Sequence, residues 1–107
     1  MLESALIQKI HKALPPTTFK LKLNSSWMRG LPDCYYECGL SQKVVWVEYK
    51  VHPNKATTLQ QSWYKAAVAR QVVTPHIVTY HPAEDLLQVD SDTHRYTIKE
   101  YIQKYLT

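Results

Sequence analysis

The stretch Val44 to Lys50, VVWVEYK, constrains this chain more than any other. Five of its seven residues are β-branched or aromatic, which is the composition of a strand. Strand side chains alternate between faces, so Val44, Trp46, Glu48 and Lys50 share one face and Val45, Val47 and Tyr49 the other. Both faces begin apolar, which predicts a buried central strand. One face nonetheless ends in a carboxylate and an ammonium. Withdrawing charges from water costs several kcal/mol per ion. Either the strand surfaces at that end, or the pair serves a purpose there.

The other residues narrow the choice. The chain has 107 residues, 45% hydrophobic and 21% charged, which fits one globular domain and excludes a disordered chain. The net charge of +4 is compatible with a polyanionic partner and equally with an ordinary surface. Cys34 and Cys38 lie four apart in a strand-like segment, without the second ligand pair of a zinc site. Two buried, reduced thiols and a cytoplasmic location are expected. No secretory leader precedes the first helix, and no apolar run approaches the roughly 18 residues of a membrane span.

Leu2 to Leu14 has helical periodicity, with Leu2, Leu6, Ile7, Ile10, Ala13 and Leu14 on one stripe. Glu3 falls near the middle of that stripe, where only its first-turn position gives an ordinary reason for it. Pro15 and Pro16 end the helix. Thr17 to Ser26 alternates weakly and predicts a strand with one wet face. Gly30 permits a turn and Pro32 extends the chain, which delivers Asp33 to the start of a strand over Cys34–Cys38. A short hairpin connection then leads to Val44–Lys50, antiparallel to it. Thr57 to about Val73 predicts a second helix, capped by Thr57 or Thr58, with Trp63, Tyr64, Ala67 and Val68 on its apolar stripe and Val72 at the margin. Gln60 falls inside that stripe. His76 to Tyr80 reads as a fourth strand. Thr97-x-x-Glu100 is a capping box that opens a last amphipathic helix carrying Ile98, Tyr101, Ile102, Tyr105 and Leu106.

Gly30-Leu31-Pro32-Asp33, then Glu48-Tyr49-Lys50, then Gln60-x-x-Trp63 at the opening of a helix, resembles the PD-(D/E)XK nuclease superfamily. Within it the chain is similar to VRR-NUC domains, which carry G-[VI]-P-D, E-x-K and Q-x-x-W in this order. The resemblance covers Glu3 to about Tyr80. It departs at Cys34, where the family often has an aliphatic residue, and at Val72-Val73-Thr74-Pro75-His76, where many members have a glycine. It implies an α/β restriction-endonuclease-like core (α-β-β-β-α-β) with a mixed sheet flanked by helices, as a single domain over 1–107. The core would span about 2–81, and 82–107 would form an extension. It further implies Mg²⁺, with Mn²⁺ as a substitute, held by Asp33, Glu48 and the Tyr49 backbone carbonyl, with Glu3 either binding the metal through water or orienting the Lys50 ammonium.

The chemistry agrees with that resemblance. Phosphodiester hydrolysis needs an activated water and neutralised charge, and a hard cation takes oxygen ligands. A hairpin brings Asp33 and Glu48 together, and crowded carboxylates repel unless a cation lies between them. Lys50, two residues past Glu48, is positioned to hold or help deprotonate a water. Gln60 would hydrogen-bond within the site. Singly, each residue has an ordinary alternative: a solvated Glu–Lys pair, a turn aspartate, a surface glutamine. His52 and Lys55 follow the strand and would touch phosphate or simply line a loop. Arg29, Lys43, Lys65 and Arg70 would line a nucleic-acid path, and Trp27 and Trp63 are expected in the core. The five histidines are scattered, which argues against a histidine metal site. The expectation is a Mg²⁺-dependent DNA endonuclease, by resemblance a homodimeric Holliday junction resolvase, with the helix from Ile98 as the candidate interface. The alternatives are a flap or nicking nuclease in replication or repair, and a non-catalytic DNA-binding module.

Overall fold

A computed structural model describes residues 1–23 and 30–107. It contains an α/β domain in the order α1 (Glu3–Ala13), β1 (Thr18–Lys22), β2 (Cys34–Cys38), β3 (Lys43–Val51), α2 (Thr58–Arg70), β4 (Thr74–His81), β5 (Leu86–Val89), β6 (Arg95–Tyr96) and α3 (Ile98–Tyr105). The six strands form one mixed sheet in sequence order. Only the β3–β4 pair is parallel among the described residues, joined by the α2 crossover; the other neighbours are antiparallel. No helix among the described residues is long and apolar enough to cross a membrane.

The alternation of β3 decides what each face meets. Val45, Val47 and Tyr49 join Leu6, Ile7 and Ile10 of α1 and Tyr101, Ile102 and Leu106 around α3 in the main core. Each buried aliphatic side chain contributes about 1.5–3 kcal/mol. The core also holds three fully buried tyrosines, Tyr36, Tyr49 and Tyr101, whose hydroxyls need partners, since an unpaired one costs about 1–3 kcal/mol. They pair with one another: His11 Nε2 meets Tyr36 Oη at 2.8 Å, Tyr36 Oη meets Tyr49 Oη at 2.9 Å, and Tyr49 Oη meets Tyr101 Oη at 3.0 Å. On the opposite face, α2 docks by stacking Trp63 on Trp46, with ring centroids 5.3 Å apart and planes 11° from parallel. Cys34 and Cys38 are buried free thiols, and burial pushes Cys34 up to about 12. The thiol therefore stays protonated and unreactive.

Several boundaries differ from the sequence expectations. β1 ends at Lys22, and the rest of the expected strand, with Trp27 and Arg29, lies outside the described residues. Phe19 and Leu21 do not face a core; they are 54% and 48% exposed, because β1 is the edge strand and α2 does not reach over it. Leu2 caps α1 and is exposed, and Ala13 is exposed too. The α1 stripe therefore narrows to Leu6, Ile7 and Ile10, with Leu14, the C-cap, packed partly buried against the same core. α2 stops at Arg70 because Gln71 takes the left-handed conformation, φ 57°, that commonly terminates a helix. Val68 and Val72 are left exposed. The tail holds β5 and β6 as well as the expected helix. α3 turns Tyr101, Ile102 and Leu106 into the chain's own core, so any contact with a second copy through this helix would use its outer face.

Candidate metal centre

Three elements deliver three carboxylates to one point. Glu3 stands in the first turn of α1, Asp33 immediately precedes β2, and Glu48 lies on β3; one oxygen from each falls within 4.8 Å of the others. The hairpin accounts for two of them. Cys34 pairs with Val47, so the residue before Cys34 comes level with the one after Val47. The Asp33 position is then locked, because Tyr49 donates its backbone N–H to Asp33 Oδ2 at 2.9 Å. The approach to Asp33 is fixed by Gly30, whose φ is +82°. A Cβ there would come within 2.9 Å of the Leu59 backbone, so the loop rests directly on the first turn of α2.

That first turn supplies the next residue. Thr57 and Gln60 form a capping box: Thr57 N–H donates to Gln60 Oε1 at 2.8 Å, and Gln60 N–H donates to Thr57 Oγ1 at 3.2 Å. With its oxygen thus engaged, the Gln60 amide turns its Nε2 toward Glu48 Oε2 and donates at 2.9 Å. Lys50 Nζ lies 3.3 Å from the same oxygen. Glu48 and Lys50 are both buried, 4% and 9% exposed. The strand therefore does not surface at its charged end, which removes the simpler of the two explanations open from sequence.

The two oxygens of Glu48 are unlike. Oε2 receives Gln60 and Lys50, whereas Oε1 is buried with no hydrogen-bond partner among the described residues. Burial first, and the neighbouring Asp33 carboxylate second, push the Glu48 carboxyl up to about 8, against the opposing pull of Lys50. The Glu48 carboxyl thus carries an unpartnered buried oxygen beside two further carboxyls, and all three groups offer hard oxygen donors of the kind that Mg²⁺ and Mn²⁺ accept.

A pH dependence follows. Glu48 holds its proton to about pH 8 in the fold but only to about 4.5 when unfolded. Between those values the folded state binds more protons, so this group's contribution to stability falls as pH rises from about 4.5 to about 8, then levels off. His11 and His81 are both lowered from 6.5, chiefly by burial, and act in the opposite direction. The expected decline is therefore read as the difference in urea midpoint between wild type and Glu48→Gln, in EDTA, across that range. A difference independent of pH would mean that the carboxyl ionises in the fold without penalty.

Of the expected residues, Glu3, Asp33, Glu48, Lys50 and Gln60 are brought together, with the Tyr49 backbone beside Asp33. His52 and Lys55 lie just beyond Lys50 in an exposed loop. Lys65 and Arg70 are exposed on α2, and Lys43 sits at the far end of β3 beside Thr74 and His76. The tail residues Gln88 and Arg95 share the sheet face of Lys50. Sequence alone did not single them out, because the strands that carry them are short. A scan against protein-family models and searches of curated proteins and of solved structures found no match.

Proposed function

We propose that this chain is a divalent-metal-dependent endonuclease of the PD-(D/E)XK type, with a restriction-endonuclease-like core, that hydrolyses phosphodiester bonds in branched DNA as a homodimeric Holliday junction resolvase. The observation that carries the reading is the meeting of Glu3, Asp33 and Glu48 within 4.8 Å, with the Lys50 ammonium 3.3 Å from Glu48. Asp33, Glu48 and the Tyr49 carbonyl would hold Mg²⁺, with Glu3 reaching it through water. When bound, the ion would acidify a water and neutralise phosphate charge. The chain's own groups prepare the site for it. Tyr49 N–H fixes Asp33, and Gln60 fixes Glu48 so that Oε1 stays free. Lys50 is held by Glu48 as a compact, buried donor able to orient the attacking water and to steady charge on the phosphate.

A junction has two strands to cut and the described residues hold one such cluster, so symmetric cleavage calls for two copies. The edge strand β1, with exposed Phe19 and Leu21, is the surface for that contact, since α3 spends its apolar face internally. A flap or nicking nuclease would act as a single copy. The test is incubation with junction, flap, nicked and linear duplex DNA in Mg²⁺, Mn²⁺ or EDTA, alongside sedimentation. Paired, metal-dependent nicks in the junction from a dimer are expected. Equal cutting of linear duplex would overturn junction selectivity, a strict monomer would overturn the resolvase reading, and no cutting in either metal would overturn the nuclease itself.

A further inference from the structure

The sheet face that carries Glu48 and Lys50 continues past them as a polar row. Lys50 pairs with Thr79, Thr79 with Gln88, and Gln88 with Arg95. Paired residues point to the same side. Across four strands about 4.8 Å apart, the row is about 14 Å long. One step further along the strands, the His52 and His81 rings lie side by side, centroids 5.1 Å apart. Two cavities share these histidines. One, of about 440 Å³, opens toward Glu84 and Arg95; the other, of about 290 Å³, opens toward Lys55, Thr79 and Gln88.

The part of a sheet face that extends beyond its covering helix, here α2, is polar in many proteins, simply because it meets water. This one has two further properties. Two cavities open on it, and each of its members can donate a hydrogen bond, His81 Nε2 and Gln88 Oε1 lying 3.1 Å apart within the row, which begins at the lysine beside Glu48. Glu84 is the acidic residue that lines it, and it is engaged by Arg95 in a partly exposed ion pair. Such a pair is weakly held and readily exchanged for a phosphate. A length of about 14 Å also matches the axial rise of about four nucleotides of one strand.

We propose that the row from Lys50 through Thr79 and Gln88 to Arg95, edged by His52 and His81, is the track along which the DNA backbone leaves the metal centre. Residues 82–107 thereby become part of the substrate-binding surface. This rests on the nuclease reading for the identity of the polyanion. The row positions phosphates and reads no bases, so it serves any DNA that reaches the site.

The test measures binding of fluorescein-labelled duplex and four-way junction across a salt series, with Ca²⁺ replacing Mg²⁺, and Mn²⁺ uptake by calorimetry on the same proteins. Arg95→Gln is expected to weaken both DNAs about tenfold and to lower the slope of log affinity against log salt by about 1. Glu84→Gln removes the competing carboxylate and is expected to tighten both by about threefold, a gain that a folding defect does not produce. Mn²⁺ uptake should be unchanged in both variants. Wild-type affinity and slope in Arg95→Gln, or no gain in Glu84→Gln, with normal Mn²⁺ uptake overturns the track alone. A wild-type protein that takes up no Mn²⁺ overturns the functional reading, and the track with it.

Discussion

Glu48→Gln is expected to lower metal-dependent cleavage by about 10³-fold or more while raising the melting temperature of the metal-free protein by about 5 °C. The two effects have one source. Burial and Asp33 make the charged form of Glu48 unfavourable without a cation, and a neutral amide of the same shape avoids that cost. The amide can still pair with Gln60 and Lys50, so the local packing survives. It offers one weaker oxygen where a cation needs an anionic one, so Mn²⁺ uptake should disappear along with cleavage. Calorimetry and a thermal melt in EDTA measure both halves. A variant that still cuts would remove Glu48 from the site, and a variant destabilised in EDTA would mean that the Lys50 pairing outweighs the repulsion. Sites that store repulsion for a ligand commonly exchange stability for function in this way.

Lys50→Met is the second large effect. Methionine keeps the length and apolar stem of lysine but has no charge and donates no hydrogen bond. If Lys50 orients the attacking water, cleavage should fall about 10²–10⁴-fold, while the three carboxylates still take up Mn²⁺. The contrast with Glu48→Gln is the informative part: one variant loses metal and activity together, the other activity alone. A Lys50→Met protein that loses Mn²⁺ uptake would make the lysine a structural counter-ion. One that cuts at the wild-type rate would exclude it from the chemistry.

The site was more legible in the sequence than its surroundings were. Glu48 and Lys50 were conspicuous because alternation put two charges on a strand whose other residues demanded burial, and they are indeed buried. Glu3 and Gln60 were conspicuous for the same reason on helical stripes. Both lie half-buried beside Glu48. Local periodicity registers such misfits well, because a polar side chain on an apolar stripe needs no knowledge of its partner. It carries no information about which stripe finds a cover. Val68 and Val72 had the right spacing and stayed exposed, and Phe19 and Leu21 lie beyond the reach of α2. β5 and β6, four and two residues long, are too short for a period to emerge, and β4 supplies the pairing that makes β5 a strand.

The tyrosine chain has a meaning beyond filling the core. His11 belongs to α1, Tyr36 to β2, Tyr49 to β3 and Tyr101 to α3, and each bond crosses from one element to the next. Apolar contacts tolerate sliding by a fraction of a residue, whereas a line of hydroxyls at 2.8 to 3.0 Å has one register. Glu3 reaches Asp33 and Glu48 only as far as α1 is correctly seated, and Tyr49 is the same residue whose backbone N–H holds Asp33. The phenols thus act as a dowel driven through the protein from behind, aligning from the main-core side of the sheet the acidic groups that meet at its other face.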